Sequence, residues 1–516
     1  MKLDFLLEIL PDHQLIGQPP SGKLTGLTCD SRQVQDGGLF AALPGTAADG
    51  HDFVPAALKA GAVCLLVERV ATETGDACQV VVPDARRALA LLAARWFGEP
   101  SRSMVAVGVT GTNGKTTVSH LIESVLAVRG PVGLIGTVRV RYGAVDRPAA
   151  MTTPEPLELQ ALLSQMLANG VDQVVMEISS HALVQHRADG VALDLGVFTN
   201  LSRDHLDYHG DLASYYEAKR LLFSRLLPDS AAMGKKPKAV ICLDDPRGED
   251  LAREAAERGI EVWTYALDHP AMVRAEDVIL GLDGGVCRVI WPGGDFLAAT
   301  PLVGRYNVQN LLGAAAAGLA LGLKGADVGS GLADLTGVPG RLERVPSPAS
   351  GSPAVFVDYA HTDDALRNAL GTLKPLTPGQ LYCVFGAGGD RDHGKRPLMG
   401  RAVGELADLA VLTSDNPRSE DPEAIMDMIQ PGLLAAGSRL AQRLADARPQ
   451  SFVREPDRAR AIERAIMAAG PGDVVVIAGK GHEDYQVIGR EKRHFDDREQ
   501  AGLALAKRAA RERSRG

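Results

Sequence analysis

The chain has 516 residues, of which 45% are hydrophobic and 23% are charged. This composition is typical of folded domains and excludes a disordered chain, while the length indicates about three domains. Acidic residues exceed basic ones, 64 Asp and Glu against 55 Lys and Arg, which argues against general nucleic-acid binding.

The sequence also indicates a compartment. No apolar stretch reaches about twenty residues, so no membrane span is predicted. The short apolar run at the N-terminus contains Asp4 and Glu8, which is not typical of a signal peptide. The six cysteines lack C-x-x-C spacing, which indicates neither a zinc site nor a disulfide framework. We therefore expect a cytoplasmic protein with reduced thiols.

The predicted elements form three groups along the chain. The first, residues 1–100, ends in a Gly-Glu-Pro-Ser stretch at 98–101 that is typical of a linker. The second, residues 101–337, begins with an apolar strand, a glycine-rich loop and a helix. The third, residues 338–516, follows a break rich in Gly and Pro. Strands are predicted at 63–67, 80–82, 104–109, 174–178, 195–199, 354–357, 381–385, 409–413 and 474–478, and helices at 55–60, 85–97 and 116–128.

The alternation of strands and helices predicts an α/β fold with parallel sheets covered by helices on both faces. In such open sheets, ligands bind beyond the carboxyl ends of the strands. Polar or glycine-rich loops follow the predicted strands of the second and third groups. We therefore expect the functional residues in these loops.

A glycine-rich loop lies between the first strand and the first helix of the second group. Its backbone N–H groups would surround a phosphate, Lys115 would reach the β- and γ-phosphates, and the Thr116 hydroxyl would bind Mg²⁺. The usual spacing requires a glycine where this chain has Val109, so the loop is a variant of the phosphate-loop motif. The predicted nucleotide-binding residues are Gly111, Thr112, Asn113, Gly114, Lys115, Thr116 and Thr117.

Two further strand ends carry candidate metal ligands. Glu177 closes an apolar strand and supplies the acid that a nucleotide–Mg²⁺ site requires. His205 lies in a polar cluster, 200–209, that follows the next strand. Taken alone, a loop histidine is more often a cap or surface residue than a ligand. Lys219, taken alone, is interpreted as a solvated helix lysine.

Two glycine-rich stretches of the third group do not match standard nucleotide motifs. Residues 386–391 begin like the dinucleotide fingerprint G-x-G-x-x-G, but Arg391 stands where the third glycine is required. An NAD-dependent enzyme is therefore not expected. Residues 479–483, G-K-G-H-E, lack phosphate-loop spacing, although they follow a strand and can line a pocket.

The motifs, in their order, resemble the Mur ligases of peptidoglycan synthesis over nearly the whole chain. The matching segments are G-T-N-G-K-T-T at 111–117, E-I-S-S-H at 177–181, N-L-S-R-D-H-L-D-Y-H at 200–209 and D-Y-A-H-T at 358–362. Three more, at 389–392, 415–418 and 479–483, resemble the family members that add meso-diaminopimelate to UDP-N-acetylmuramoyl-L-alanyl-D-glutamate. The chain departs from the family pattern at Cys29, Met151 and Asp363.

The resemblance implies three domains. Residues 1–100 would bind the UDP sugar, residues 101–337 would form a phosphate-loop ATPase-type parallel sheet, and residues 338–516 would form a Rossmann-like domain for the amino acid. It also implies an ATP- and Mg²⁺-dependent ligase, expected to be a monomer. The γ-phosphate passes to the D-Glu carboxylate, and the amine of diaminopimelate attacks the acyl phosphate. Bound cations must neutralise the anionic groups that meet there.

The resemblance further assigns residues to each ligand. Thr116 and Glu177 would hold one Mg²⁺. His205 would hold a second Mg²⁺ together with Lys219, which would be carbamylated to N6-carboxylysine. Carbamylation needs a neutral amine, whereas free lysine has a pKa of about 10.4, so the site would have to favour deprotonation. ATP would also contact Asn307, Arg341 and Asp358, with His361 nearby. The sugar-nucleotide peptide would contact Cys29, Ser31, Thr46, Ala47, Ala48, Thr152, Thr153, Ser179, Gln185 and Arg187. Diaminopimelate would contact Arg391, Asp415, Asn416, Pro417, Arg418, Gly479 and Glu483.

The resemblance implies that Arg391 and Arg418 select the amino acid, because a guanidinium group pairs with a carboxylate, here the distal one of diaminopimelate, through two hydrogen bonds. A ligase that adds L-lysine would not need an arginine for a distal carboxylate. A folate polyglutamate ligase would not need the D-N-P-R motif at 415–418. A phosphate-loop switch ATPase would leave both arginines and the N-terminal domain without a role.

Overall fold

A computed structural model describes residues 1–45, 48–349, 351–444 and 448–513. The chain divides into two compact units. The first contains Met1–Ala275, Val289–Phe296 and Asn310–Gly331. The second contains Glu276–Arg288, Leu297–Gln309 and Leu332–Gly516. The first unit therefore includes the predicted N-terminal region and most of the predicted central one.

The N-terminal part of the first unit is a five-stranded sheet. Its strands, in spatial order, are Gln14–Ile16, Cys78–Val81, Cys64–Val67, Leu39–Ala41 and Leu27–Thr28, and only the first is antiparallel to its neighbour. The helices here are Leu3–Leu7, Val54–Lys59 and Ala85–Trp96. The Asp84 carboxylate caps the last of them by accepting from the Arg87 N–H, which satisfies one of the free donors at a helix start.

The rest of the first unit is built on a larger sheet. Six parallel strands lie in the order Val132–Ile135, Gln173–Glu177, Val105–Thr110, Leu195–Phe198, Lys238–Cys242 and Glu261–Ala266. An antiparallel hairpin, Arg139–Tyr142 and Val145–Pro148, extends one edge. Because the strands are parallel, their carboxyl ends bring the loops at 111–117, 177–181 and 199–209 to one edge of the sheet.

Helices cover this sheet and complete the chain's middle region. They are Lys115–Leu126, Pro156–Ala168, Ser180–Val184, Leu206–His209, Leu212–Leu221, Leu227–Ala232, Gly248–Glu257, Arg305–Ala320 and Gly325–Ala333, with a π-helical segment at Leu222–Leu226. Strands Val273–Gly281, Gly284–Trp291 and Gly294–Thr300 precede the last two helices. A buried core joins Val174 and Met176 of the sheet to Leu159 and Leu163 of a covering helix.

The second unit is built on a seven-stranded sheet. In spatial order its strands are Glu343–Val345, Ala354–Asp358, Val474–Ala478, Leu381–Phe385, Leu409–Leu412, Ser451–Arg454 and Arg439–Leu440, and all but the first run parallel. Its helices are Asp363–Leu373, Lys395–Leu406, Pro422–Ala435, Arg458–Ala468 and Asp497–Arg513. Phe356 packs into one core, whereas Val355 and Val357 pack into another, so both faces of the sheet are covered.

These observations confirm the predicted α/β fold class and the predicted strands. Several observed strands were not predicted, among them the buried strands Leu39–Ala41, Lys238–Cys242 and Ser451–Arg454. Other unpredicted strands form the edge hairpin at 139–148, the edge strand Glu343–Val345, and the separate hairpin of Tyr485–Ile488 and Glu491–His494. These strands are short and largely exposed, so they lack the apolar runs that revealed the buried strands. No helix in the described ranges combines the length and apolarity needed to cross a bilayer.

Candidate active site

The glycine-rich loop adopts backbone angles that only glycine adopts without strain. Gly111 and Gly114 have φ angles of 151° and 85°. A Cβ atom on Gly114 would lie 2.5 Å from Oδ1 of Asn310, so a side chain there would have to displace the Asn310 amide. The Lys115 ammonium donates to the carbonyls of Gly111 and Thr112, each at 2.9 Å. The helix that starts at Lys115 therefore directs its N-terminus and one lysine at the loop.

The neighbouring strand end fixes this loop. Asn200 receives the backbone N–H of Thr112 on its carbonyl, at 2.8 Å, and that of Asn113 on its side-chain oxygen, at 2.9 Å. The Thr199 hydroxyl donates to the Asn113 carbonyl at 2.6 Å. The predicted polar cluster at 200–209 therefore begins by supporting the phosphate loop, a role that the sequence did not indicate.

Glu177 lies buried at the end of its strand, beside the loop. Its Oε2 accepts from the hydroxyls of Thr116 and Thr137, at 3.1 and 2.8 Å, and its Oε1 accepts from the Thr137 N–H at 2.9 Å. A carboxylate and a hydroxyl at this separation are the oxygen ligands that Mg²⁺ prefers, with phosphates and water completing its shell. Nowhere in the described ranges do three or more His, Cys, Asp or Glu side chains form a metal-binding group, and a magnesium of this kind does not need one.

Lys219 is buried, with only 1% of its surface exposed. The interpretation of this residue as a solvated helix lysine is therefore wrong. Its Nζ donates to the Gly111 carbonyl at 2.7 Å and lies 4.2 Å from the ring centre of Tyr215. Burial, and after it repulsion from Lys115, hold the pKa of Lys219 well below its ordinary value. The site therefore favours the neutral amine.

His205 has a half-exposed side chain and a φ angle of 51°, which is unusual for a residue other than glycine. Its Nε2 lies 3.4 Å from Oδ2 of Asp204. Its ring centre lies 6.1 Å from that of Tyr215, over which Lys219 stands, and 5.1 Å from that of His181. The structure thus places His205 and Lys219 around the same tyrosine.

Several predicted sugar-peptide residues lie together next to Glu177. The Thr153 hydroxyl donates to the Glu177 carbonyl at 2.9 Å and accepts from the Ser179 N–H at 3.1 Å. Arg187 donates to the Thr153 carbonyl at 3.1 Å and to Oε1 of Gln185 at 2.6 Å. The Thr152 hydroxyl lies 3.0 Å from that of Thr137, the residue that binds Glu177. The group therefore borders the proposed magnesium ligands.

The remaining sugar-nucleotide candidates lie in the N-terminal sheet region. Ser31 begins a short 3-10 turn, Ser31–Gln33, which Asp30 caps by accepting from the Arg32 N–H. Cys29 is exposed just before this turn. Ala48 belongs to the loop that follows strand Leu39–Ala41. Thr46 and Ala47 lie outside the described residues.

The predicted ATP contacts of the second unit are held mainly by backbone groups. Asp358 ends its strand, and its two oxygens accept from the N–H groups of Leu342, at 2.7 Å, and Ala360, at 2.9 Å. Burial raises the pKa of this carboxyl. Arg341 stacks 5.6 Å from the ring centre of Tyr359. The buried Asn307 donates to the Val303 carbonyl at 2.8 Å.

The predicted diaminopimelate residues follow the carboxyl ends of three strands of one sheet, Leu381–Phe385, Leu409–Leu412 and Val474–Ala478. Nδ2 of Asn416 donates to Oε2 of Glu483 at 2.9 Å. Gly479 has a φ angle of 119°, and a Cβ there would lie 3.2 Å from Oδ2 of Asp415. Pro417 links Asn416 to Arg418, and its carbonyl accepts from the Glu420 N–H at 3.0 Å.

Both candidate arginines flank Gly388. A Cβ atom on Gly388 would lie 2.9 Å from Nη1 of Arg418 and 3.8 Å from Cγ of Arg391. Arg418 donates from Nη1 to the Gly389 carbonyl at 2.6 Å, whereas Arg391 is exposed. The two guanidinium-bearing residues, far apart in sequence, are therefore neighbours in space.

Sequence reasoning missed three residues of this region. Thr137 binds Glu177 through two groups, and nothing in its local sequence signals that. The buried Arg396 forms two 2.8 Å bonds to Glu420, which follows the D-N-P-R motif. Lys480 is fully buried beside Asp415 and Glu483. Its motif at 479–483 was matched to the family, and Gly479 and Glu483 were assigned to diaminopimelate, but Lys480 itself was given no role.

Comparison with known families decides the relationship of the chain. Three family models match: "Mur ligase family, catalytic domain" at residues 23–97, "Mur ligase middle domain" at 109–318, and "Mur ligase, glutamate ligase domain" at 340–481. A relative from Geobacter metallireducens is 46% identical over 511 residues, which are 98% of this chain and 98% of the relative.

The chain belongs to the Mur ligase family. This membership confirms the predicted ATP-dependent ligase class. A second relative, from Gloeobacter violaceus, is 46% identical over 95% of this chain and 96% of its own length. Both relatives are named UDP-N-acetylmuramoyl-L-alanyl-D-glutamate--2,6-diaminopimelate ligase. A solved structure of that name is similar at 34% identity with a TM-score of 0.72, covering 99% of this chain and 100% of its own.

Proposed function

We propose that this Mur ligase joins meso-diaminopimelate to UDP-N-acetylmuramoyl-L-alanyl-D-glutamate, using ATP, in the synthesis of peptidoglycan precursors. The observation that carries the proposal is the cluster of Arg391 and Arg418 around Gly388, close to the Asn416–Glu483 pair. Such a cluster offers cations to a distal carboxylate and a carboxylate to an ammonium. The names of the two full-length relatives support the same substrates.

The phosphate loop would bind ATP through its backbone N–H groups and Lys115, with Asn307, Arg341 and Asp358 as further proposed contacts. Thr116 and Glu177 would hold Mg²⁺, which would supply positive charge where the γ-phosphate meets the substrate carboxylate. Because Thr137 holds Glu177 through two hydrogen bonds, the carboxylate is already oriented for this role.

His205 and Lys219 would hold a second Mg²⁺ if the Lys219 amine were carbamylated. Carbamylation converts the amine into a carboxylate-like ligand and requires that the amine be neutral. The burial of Lys219, which lowers its pKa, supports this assignment. Its position beside Gly111 would bring the modified side chain close to the bound phosphates.

The sugar-nucleotide peptide would bind through Thr152, Thr153, Ser179, Gln185 and Arg187, with Cys29, Ser31, Thr46, Ala47 and Ala48 at the uridine end. The γ-phosphate would pass to the D-Glu carboxylate, which gives an acyl phosphate and ADP. The diaminopimelate amine would then attack the acyl carbon, and phosphate would leave. We also propose a cytoplasmic monomer.

One assay tests the substrates directly. The protein is supplied with ATP, Mg²⁺, the UDP-muramoyl dipeptide, and either meso-diaminopimelate or L-lysine, while phosphate release and product mass are followed. The proposal predicts release that depends on both the dipeptide and diaminopimelate. Equal or faster reaction with L-lysine would instead indicate the lysine-adding ligase, and release without either substrate would indicate a switch ATPase.

The variant Arg418→Ala sharpens this test. Loss of a charge-assisted pair costs about 1.5–3 kcal/mol, so the KM for diaminopimelate should rise roughly 10- to 100-fold, with little change in the KM for ATP. Arg493→Ala is the matched control, because Arg493 is exposed and pairs only with Glu491 among the described residues. Similar KM changes for both substrates in Arg418→Ala would count against the role of Arg418.

A further inference from the structure

Lys480 lies fully buried between the candidate amino-acid residues of the second unit. Its Nζ donates to Oδ1 of Asn416 at 2.9 Å and to the Tyr485 carbonyl at 2.7 Å. The same atom lies 3.4 Å from Oδ1 of Asp415 and 3.9 Å from Oε2 of Glu483. One ammonium group therefore contacts three of the side chains predicted to bind diaminopimelate.

This contact fixes the orientation of the Asn416 amide. A lysine ammonium only donates hydrogen bonds, so the atom facing it must be the amide oxygen. The Val487 N–H also donates to that oxygen, at 3.0 Å. The amide nitrogen is thereby turned toward Glu483, to which it donates at 2.9 Å. Without Lys480, the amide would lose one of the two donors that determine its orientation.

The charges around Lys480 are unequal. One buried ammonium faces the carboxylates of Asp415 and Glu483, which leaves a net charge of −1 in the group when all three are ionised. Oδ1 of Asp415 is buried and makes no hydrogen bond within the described residues. The nearby Arg458 is neutralised by its own buried partner, Asp497. A ligand ammonium would bring the group to neutrality and give Asp415 a donor.

We propose that Lys480 is a positioning residue for the amino-acid substrate: it holds the Asn416 amide and the two carboxylates in the arrangement that receives a substrate ammonium. This inference rests on the proposed function, since it takes diaminopimelate as the amino acid. It adds a specific role for a residue that does not itself need to touch the substrate.

The proposal has a signature in the pH dependence of the reaction. The pKa of Glu483 is raised above its ordinary value, because burial and the nearby Asp415 outweigh the opposite effects of Asn416, Lys480 and Arg418. The other titratable groups that face this carboxyl are Tyr359, Tyr485 and Arg458. Removing the Lys480 charge would therefore raise the pKa of Glu483 further. The ionised form needed to bind an ammonium would then be lost at a higher pH than in the unaltered protein.

The test compares Lys480→Met with Lys492→Met, an exposed lysine that stands 3.6 Å from the ring centre of Tyr485. Lys480→Met should raise the KM for diaminopimelate roughly tenfold or more, with the KM for ATP and for the dipeptide within about twofold. The acid limb of kcat/KM for diaminopimelate should move up by about one pH unit. Lys492→Met should change none of these values.

A second variant separates the orientation of the amide from the charge. Lys480→Gln keeps a donor for Asn416 but no charge, so it should share the shift of the acid limb while raising the KM less than Lys480→Met. An unshifted limb in both variants, or equal losses for all three substrates, would overturn the proposal. Failure of both variants to fold would also overturn it and assign Lys480 to the core.

The two levels of inference fail separately. If the unaltered protein shows no dependence on diaminopimelate, the proposed function fails, whatever Lys480 does. If the unaltered protein uses diaminopimelate and the Lys480 variants behave like it, the proposed function stands and only the role of Lys480 is rejected.

Discussion

The buried ion pair between Arg458 and Asp497 offers a quantitative test of how the second unit is held together. Both side chains are fully buried, and two hydrogen bonds of 2.6 and 2.8 Å join them. Arg458 also donates to the carbonyls of Ser414 and Ala478, which directly precede Asp415 and Gly479. The pair thus connects the last helix, which begins at Asp497, to two loops of the candidate amino-acid site.

The replacement Asp497→Asn keeps the size of the side chain but removes the carboxylate charge that the buried guanidinium bonds directly. Breaking a buried pair in this way costs about 3–5 kcal/mol. Two weakened charge-assisted hydrogen bonds, at about 1.5–3 kcal/mol each, give a similar total. For a unit of this size, about 2–4 °C is lost per kcal/mol, so the melting temperature of the second unit should fall by roughly 6–20 °C.

Thermal unfolding followed by circular dichroism measures this change. Glu491→Gln is the control, because it removes an exposed pair with Arg493 that should contribute little to stability. The double variant Arg458→Met/Asp497→Leu should recover part of the loss, since a paired apolar replacement leaves no buried charge. At roughly 2–4 °C per kcal/mol, a melting temperature of Asp497→Asn within about 2 °C of that of the unaltered protein would mean a loss of no more than about 1 kcal/mol. That result would refute the assigned energy of the buried pair.

Three further outcomes follow from contacts described above. Lys115→Met should weaken ATP binding, measured by calorimetry, by roughly 10- to 100-fold, because it removes the loop's cation, whereas the exposed control Lys236→Met should leave ATP affinity unchanged. Gly114→Ala should lower both thermal stability and ATP affinity, since the φ angle of Gly114 is 85° and its Cβ would lie 2.5 Å from Oδ1 of Asn310. The control Gly143→Ala has a φ angle of 52° and nothing within 4 Å of its Cβ, so it should show the smaller loss. Equal losses would argue against the steric cause. The Arg396 guanidinium lowers the pKa of Glu420 to about 2. The stability difference between the unaltered protein and Glu420→Gln should therefore be constant above the ordinary carboxyl pKa of about 4.3 and shrink as pH falls toward 2. Urea unfolding at several pH values measures this difference, and a difference that grows on acidification would contradict the assignment.

Local sequence pattern predicts the buried strands and the loops that follow them. Glu177 and the loop at 111–117 were found because buried strands are apolar and their carboxyl ends meet at one edge of a parallel sheet. The burial of Lys219 was not apparent from the residues around it, since it depends on the approach of Gly111, more than a hundred positions earlier in the chain. Thr137 gave no signal for the same reason: its partner Glu177 lies forty positions away.

The residues predicted to bind diaminopimelate also show that contacts between distant parts of the chain are not apparent from local sequence. The arginines at 391 and 418 were identified through family resemblance, but their proximity around Gly388 is a property of the assembled sheet. Lys480 was visible only as part of a glycine-rich stretch, because burial and charge balance come from Asp415 and Asn416 on another strand end. Local sequence therefore predicted which strand ends carry polar residues and not which of those residues touch.

The hairpin at 485–494 has a consequence for the order in which the protein acquires its parts. The backbone of Arg418 is bonded on both sides to this hairpin, through the Val487 carbonyl at 3.0 Å and the Gly489 N–H at 2.7 Å. During synthesis, the D-N-P-R segment emerges about seventy residues before these partners, and contacts so distant in the chain form late in folding. Amide hydrogen exchange should accordingly show the segment at 415–418 gaining protection only together with the hairpin.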